Sequence, residues 1–218
     1  MNINTSYLLA LILILTGCSN EIGIKEEPHP INEVPVPILI MPKGIDATTK
    51  ALVDVFTNDN INEIGIYGTS STKIIYNGIS PGQIGSNQEL IFTNPSLVYP
   101  TDGNSITLAG YFPRQSKGTA YTINNNSLQF TLTGEEDLMH AAPINAGNKK
   151  TPEAVNLNFT HKLTSVKFNL VNGTENMLPD GNISITTDAP NSGSLDLSNG
   201  IVTIDQTSTT TFTLSTDI

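Results

Sequence analysis

Short apolar segments, separated by turn-forming residues, recur along most of this chain. Segments such as IGIYGTS, TKIIYNG and LQFTLTG are divided by Asn-Gly, Asn-Pro and Asp-Gly-Asn, all of which favour turns. Strands of about five residues at intervals of roughly 8 to 12, without a sustained helical period, are typical of antiparallel sandwiches and barrels. The sequence therefore predicts an all-β fold.

The segment SITLAGYFP carries apolar residues on both of its faces. In a strand, Ala109 and Tyr111 point to one face and Leu108 and Phe112 point to the other. Apolar residues on both faces indicate a strand that is covered on both sides. We expect a central strand that ends at Pro113.

The segment VNLNFTHKL alternates regularly between apolar and polar residues. One face carries Val155, Leu157, Phe159, His161 and Leu163, whereas Val166 beyond it has the opposite parity. A bulge near Thr164 would reconcile the two halves. On this face His161 is interpreted as a packed core histidine whose ring donates to a backbone carbonyl.

Between these two segments lies GEEDLMHAAPINAGNKKTPE, which by composition is predicted to be a loop or linker. Its consecutive acids, Glu135 to Asp137, are interpreted as a solvated turn, because paired catalytic carboxylates must face each other across a cleft. The predicted domain division places an N-terminal β-sandwich domain at residues 45–150 and the start of a C-terminal one at 151–218.

The only cysteine, Cys18, directly follows an apolar run from Tyr7 to Leu15. This run is far shorter than the roughly 20 residues that a membrane-spanning helix needs, and it fits a signal peptide at residues 1–17. Leu15, Thr16 and Gly17 resemble the lipobox that signal peptidase II recognises in bacterial lipoproteins, although the first six residues contain no lysine or arginine. We expect a lipidated Cys18 that tethers the mature chain to the outer membrane.

Residues 18–44 are rich in proline, which fixes φ and removes backbone donors. This segment is predicted to be a lipidated tether or an N-terminal edge strand. Its only basic residues are Lys25 and Lys43.

The charge balance argues against several classes of function. The formal net charge is −10 and the only arginine is Arg114, so a surface that binds nucleic acid is not expected. The three histidines, His29, His140 and His161, lack the spacing of a zinc site, and no nucleophile elbow or phosphate loop is present. No catalytic residue, metal or cofactor is predicted, and the chain is not expected to be an enzyme.

The lipobox, the segment EEDLMHA and the segment VNLNFTHKLTSVKFNL occur in that order, and together they resemble the fimbrillin-like (Mfa-like) family of Bacteroidetes. Two sets of residues match the family pattern, with His140 at a position where an aromatic residue is common. The matching residues are Asp137, Leu138, Met139, Ala141, Phe159, His161, Leu163 and Val166.

This resemblance implies two transthyretin-like β-sandwich domains in tandem, of which we expect the second to be incomplete at Ile218. It also implies export as a surface-exposed outer-membrane lipoprotein and a place in type V pili. The implied partners are other pilus subunits, joined by strand exchange, and a ligand on a host or bacterial surface. The alternative is a monomeric outer-membrane lipoprotein that binds glycans through its loops, with its tyrosines as stacking faces.

Overall fold

Nearly all regular structure in this protein is β-strand. The computed structural model describes residues 34–46, 55–71, 73–116, 119–164 and 182–217. Within these ranges there is one short 3-10 helix, Ile61–Glu63, and no α-helix. The all-β prediction is therefore confirmed. The strands are β1 (Ile40–Asp46), β2 (Gly65–Ser70), β3 (Lys73–Ile79), β4 (Gln83–Ile84), β5 (Leu90–Ile91), β6 (Ile106–Phe112), β7 (Gln115–Ser116), β8 (Thr119–Ala120), β9 (Thr122–Asn124), β10 (Ser127–Thr131), β11 (Met139–Asn145), β12 (Gly147–Asn148), β13 (Thr151–Pro152), β14 (Val155–His161), β15 (Asn182–Pro190), β16 (Ser192–Asp196), β17 (Val202–Ile204) and β18 (Thr209–Asp217).

The largest sheet has six strands in the order β1-β14-β11-β6-β2-β3. Its strands pair antiparallel except β1, which runs parallel to β14. A parallel neighbour cannot come from a tight hairpin and requires a long connection, as between these two strands. This pairing departs from the predicted purely antiparallel sheet.

A second sheet has four antiparallel strands in the order β17-β16-β10-β9. Four two-stranded pairs, β4-β5, β7-β8, β12-β13 and β15-β18, complete the described pairings. Strands from both sides of residue 150 pair with one another, β11 with β14 and β10 with β16. The predicted division into domains at residue 150 stays a prediction.

Strand β6 lies inside the six-stranded sheet, between β2 and β11, as its two-sided apolar pattern predicts. Its faces contribute to two different clusters of buried side chains. Leu108 and Phe112 belong to one cluster, and Tyr111 belongs to the other. The strand ends at Phe112, directly before Pro113, as predicted.

The two clusters, here called the first core and the second core, occupy opposite faces of this sheet. The second core lies between the two sheets, and its buried residues are Tyr67, Tyr111, Leu128, Phe130, Leu138, Leu195 and Leu197. The first core lies on the other face and is closed by the N-terminal segment, the 3-10 helix and residues 90–99. Among its fully buried members are Ile40, Ile61, Ile66, Leu108, Met139, Leu157 and Phe159.

The prediction of a loop or linker at residues 134–153 was wrong for its central part. This region contains β11, which lies between β14 and β6 in the six-stranded sheet. Its small residues reflect close packing rather than a turn, because the Ala141 Cβ atom lies 3.3 Å from the place that a Cβ at Gly110 would occupy. A strand inside a sheet can thus have the composition of a linker.

Candidate assembly site at the sheet edge

The described part of the N-terminal segment, residues 34–46, pairs with two separate parts of the fold. The amide of Ile38 donates to the Leu97 carbonyl at 3.0 Å, and the amide of Tyr99 donates to the Val36 carbonyl at 2.9 Å. Further along, the amide of Val155 donates to the Leu39 carbonyl at 2.9 Å. The segment therefore joins the cover of the first core to the edge of the six-stranded sheet.

Two isoleucines fix this segment to the first core. Ile38 is 4% exposed and Ile40 is fully buried. Burying an isoleucine side chain contributes about 1.5 to 3 kcal/mol, so the pair stabilises the segment in place. Prolines are compatible with this position, because an edge strand has donors that need no partner on its outer side.

The register of β1 on β14 changes after a proline. Ile40, Met41 and Pro42 pair with Val155, Asn156 and Leu157, and a shift precedes the next pair, Ile45 with Phe159. Pro42 has no amide hydrogen, so the ladder cannot continue regularly through it. The parallel pairing is therefore formed by two short stretches rather than by one continuous ladder.

The first half of β14 depends on β1 for its sheet pairing. Strand β11 pairs with β14 only from Phe159 to His161. Among the described residues, Val155 to Leu157 have β1 as their only strand partner. Removing β1 would leave the backbone of these three residues without a ladder on either side, next to the positions of two buried isoleucines.

The family-matching residues meet where β11 lies beside β14. Met139 pairs with Phe112 on one side and with His161 on the other, and Met139 is fully buried. Leu138 is fully buried in the second core, and Leu163 packs against that core. Phe159 is fully buried in the first core. The matching residues therefore anchor both cores around one strand pair.

Asp137 and His161 form a buried pair at the end of the same strands. The Nδ1 atom of His161 lies 2.7 Å from Oδ1 of Asp137, and their side chains are 8% and 9% exposed. Within the described residues, Nε2 of His161 is buried and makes no hydrogen bond. The partner of the His161 ring is therefore the carboxylate of Asp137, 24 residues earlier in the chain, and not the predicted backbone carbonyl.

His140, where the family commonly has an aromatic residue, connects β11 to the second sheet. Its Nε2 lies 3.1 Å from the Leu197 carbonyl oxygen, which can only accept, so Nε2 carries the proton. Burial lowers the pKa of His140 below its ordinary value of 6.5, and Lys162 lowers it as well. The hydrogen bond to Leu197 and the charge of Asp196 oppose this shift. His140 is thus a neutral structural contact between the sheets.

The structure leaves several predicted residues untested. Cys18, its lipobox residues Leu15, Thr16 and Gly17, and Val166 lie outside the described residues. In the part of the chain that is described, no group of three or more His, Cys, Asp or Glu side chains is arranged to hold a metal ion. No helix there has the length and apolar character needed to cross a bilayer.

The sequence profile of the fimbrillin-like family matches residues 49–217. The fold is similar to the crystal structure of a candidate cell adhesion protein from Bacteroides uniformis, with a TM-score of 0.56 and 20% identity over 84% of this chain and 70% of that one. A candidate cell adhesion protein from Bacteroides ovatus has a TM-score of 0.46 and 15% identity, over 84% of this chain and 74% of that one. No curated protein sequence matches the chain.

An all-β chain with buried motif residues, matched over most of its length by the profile of a surface-structure family, is a structural protein in class. The chain belongs to the fimbrillin-like family. The family match indicates a fimbrial role. The resemblance inferred from EEDLMHA and VNLNFTHKLTSVKFNL is confirmed.

Proposed function

We propose that this chain is a structural subunit or adhesin of type V cell-surface fimbriae, exported as a lipoprotein through Cys18 and assembled by strand exchange. The observation that carries the proposal is the dependence of Val155 to Leu157 on β1. An edge strand that alone completes part of a sheet is an element that another chain's strand can replace. Other subunits of the same fimbria are the proposed partners.

Replacement requires that the incoming strand restore what β1 supplies. Without residues 38–42, β14 would present open backbone donors and acceptors, and the first core would present two apolar sites, now filled by Ile38 and Ile40. A donor strand with apolar residues at matching spacing would satisfy both. Because β1 ends at Asp46 and the only arginine is Arg114, cleavage that releases β1 would have to occur at another residue type, or the subunit would stay uncleaved as an anchor.

A disulfide lock on β1 tests strand exchange directly. Met41 and Asn156 are paired in register, and their side chains are half-buried and exposed, so Met41→Cys with Asn156→Cys should form a bridge. Surface fractions are then run unboiled on SDS gels, oxidised and reduced. We expect wild type to give a ladder that collapses on boiling. The oxidised double variant should give a monomer, and it should form the ladder when the bridge is reduced before the subunits assemble.

The matched control places the same bridge in a different strand pair. Thr186→Cys with Thr213→Cys joins β15 and β18, where the two exposed threonines are paired. This control should form the ladder whether oxidised or reduced. A ladder from the oxidised Met41–Asn156 variant would overturn exchange at β1, and a wild-type monomer would overturn polymer formation.

Lipid anchoring is tested separately with Cys18→Ala. The expected result is loss of the chain from the outer-membrane fraction and loss of the ladder. The variant lacks the residue that would carry the acyl chains, and a stable anchor requires more than one acyl chain. Metabolic labelling with a fatty acid should mark wild type and leave the variant unmarked. Labelling of both would show that Cys18 is not the lipidated residue.

A further inference from the structure

The N-terminal segment changes its pairing partner between Ile38 and Leu39. Val36 and Ile38 bond to residues 97–99, whereas the Leu39 carbonyl accepts from Val155 at the start of β14. In an extended chain the polar backbone groups of successive residues point to opposite edges. The segment therefore has residues 97–99 on one edge and β14 on the other, and these two parts of the fold are here called the receiving site.

These pairings fix the direction of a strand that occupies the receiving site. Pro37 pairs antiparallel with Val98, and Ile40 pairs in parallel with Val155. A strand in the reverse direction would exchange the two kinds of pairing, which space their hydrogen bonds differently. An occupant also needs apolar side chains at the positions of Ile38 and Ile40, because both are buried in the first core.

The receiving site accepts a proline at the position of Pro37. Val36 and Ile38 bond toward one edge, so the nitrogen of Pro37 points to the other edge, ahead of the first β14 pair at Ile40. The missing amide hydrogen therefore removes no bond of the segment. A proline at the position of Ile38 would remove a donor that the site uses, so the prolines favour one register.

The hydroxyl of Tyr76 holds the first half of the receiving site from the side away from the segment. The amide of Val98 donates to this hydroxyl at 2.8 Å, and the hydroxyl donates to the Val98 carbonyl. Tyr76 lies on β3, at the opposite edge of the six-stranded sheet from β1. One side chain thus bonds both polar backbone groups of Val98, as a neighbouring strand would.

The hydroxyl of Tyr99 joins the two halves of the receiving site. It donates to the Ala146 carbonyl at 2.7 Å and accepts from the Glu153 amide at 3.2 Å, two residues before β14 begins. The backbone amide of Tyr99 donates to the Val36 carbonyl. This tyrosine therefore contacts the segment through its backbone and the approach to β14 through its side chain.

Both tyrosine rings are buried in the first core. Tyr76 is 9% exposed and Tyr99 is 3% exposed, so neither offers the stacking face that a glycan-binding protein would need. Burial raises the pKa of each tyrosine above its ordinary value of 10.0, although hydrogen bonds to the backbone oppose this, and both hydroxyls keep their protons at neutral pH. Breaking these buried bonds would leave backbone groups unsatisfied, which is costly.

We propose that Tyr76 and Tyr99 are positioning residues that keep the receiving site assembled when the N-terminal segment leaves it. An apolar strand running in the same direction can then enter in the same register. A preassembled site avoids the ordering cost that would otherwise oppose entry. This inference deepens the proposed strand exchange and rests on it for its use, but the assembly of the site itself requires no polymer.

Amide hydrogen exchange in the full mature chain, as a monomer, tests whether the receiving site stays assembled. Ile38→Ala weakens the hold of the segment, so exchange at the Tyr99 amide should become about tenfold faster or more. The amides of Val98 and Glu153 bond to the tyrosine hydroxyls and should stay within about twofold of wild type. Amides of β6 serve as the reference for global unfolding.

The tyrosine hydroxyls are then removed in the Ile38→Ala background. With Tyr76→Phe and Tyr99→Phe added, the amides of Val98 and Glu153 should accelerate with that of residue 99, while β6 stays protected. The matched control adds Tyr67→Phe, which removes a tyrosine hydroxyl on the second core and should leave both amides slow.

Three exchange results would overturn the proposal. In Ile38→Ala alone, Val98 and Glu153 could exchange as fast as residue 99, which would show that the site comes apart with the segment. The added phenylalanines could leave both amides slow, which would show that the hydroxyls do not hold the site. Acceleration that includes β6 equally would show a role in global stability alone.

Unboiled SDS gels of surface fractions test the use of the receiving site. Tyr76→Phe with Tyr99→Phe should reduce the ladder about tenfold or more relative to Tyr67→Phe, because fewer chains present an assembled site. Equal ladders would overturn the positioning role in exchange. Since hydrogen exchange uses the monomer, a wild type that forms no ladder but keeps Val98 and Glu153 slow in Ile38→Ala would refute fimbrial assembly and still support an assembled receiving site.

Discussion

The two faces of the six-stranded sheet are covered in different ways. The second core is closed by another regular sheet, whose strands supply Leu128, Phe130 and Leu195. The first core is closed by irregular chain and by β1, through Ile38 and Ile40. A continuous sheet covers the second core, whereas the first core is covered partly by a segment that is held by a few hydrogen bonds and two buried isoleucines. This segment is the one that the proposed strand exchange would replace.

The faces are nevertheless built by the same local device, an aromatic ring placed over a glycine of another strand in the sheet. On the first face the ring of Phe159 lies over Gly110, and on the second face the ring of Tyr111 lies over Gly65. Burial raises the pKa of Tyr111 to about 12, so its hydroxyl stays neutral. The difference between the faces therefore arises from their covers and not from the sheet.

Truncation of Phe159 should give the largest effect on the first face. Phe159 is fully buried and meets the Phe56 ring at 4.9 Å, so Phe159→Ala should lower the free energy of unfolding by about 3 to 5 kcal/mol. Denaturant unfolding measures the loss. The control Leu39→Ala removes a side chain that is 46% exposed and should change stability by less than about 1 kcal/mol.

Matched truncations in the two covers sharpen the comparison. Ile40 and Leu195 are both fully buried, so Ile40→Ala and Leu195→Ala should each lose about 2 to 5 kcal/mol if their covers unfold with the whole chain. We expect a smaller global loss for Ile40→Ala, because β1 can detach locally. Hydrogen exchange at the Val155 amide should accelerate in that variant and leave β6 protected. Equal global losses, with Val155 as slow as β6, would show that β1 is not a separable cover.

Adding a methyl group beneath each ring tests the device that the faces share. A Cβ at Gly110 would lie 2.7 Å from the Phe159 ring, and one at Gly65 would overlap the Tyr111 ring. Gly110→Ala and Gly65→Ala should each destabilise by about 1 to 3 kcal/mol, with Gly65→Ala the worse. Gly82→Ala, whose nearest new contact is an ordinary 3.6 Å, is the control. A neutral Gly65→Ala would contradict the close placement of the Tyr111 ring.

The sequence was sufficient to predict the strands with a clear apolar pattern, β6 and β14, but not β11 and not the covers of the two cores. Alternation in VNLNFTH identified the buried face of β14, because that face is a local property of one strand. The two-sided pattern of β6 likewise predicted its central place. The parallel pairing of β1 could not be predicted, since it depends on contacts made more than 100 residues away along the chain.

The motif residues show the same limit at the scale of single side chains. Asp137 was interpreted as part of a solvated acidic turn, and only the fold brings its carboxylate to His161. A row of polar residues on neighbouring strands of the four-stranded sheet is also not apparent in the sequence, because its members come from four strands whose register is set by the whole sandwich. These residues are Thr122, Gln129, Ser194 and Thr203. Each strand alone looks like an ordinary solvated edge.

The smallest expected effect is a pH dependence confined to the second face, through His140. The native protein holds this imidazole neutral, with its pKa lowered by burial, whereas the unfolded chain takes up a proton below about pH 6.5. The unfolded state then binds more protons, so the free energy of unfolding falls as pH decreases below about 6.5, by at most about 1.4 kcal/mol per pH unit. Denaturant unfolding from pH 8 to 5 should show this loss in wild type. His140→Phe, which places an aromatic residue there and cannot titrate, should show a shallower dependence. Identical profiles would mean that burial does not lower the pKa of His140 in the folded protein.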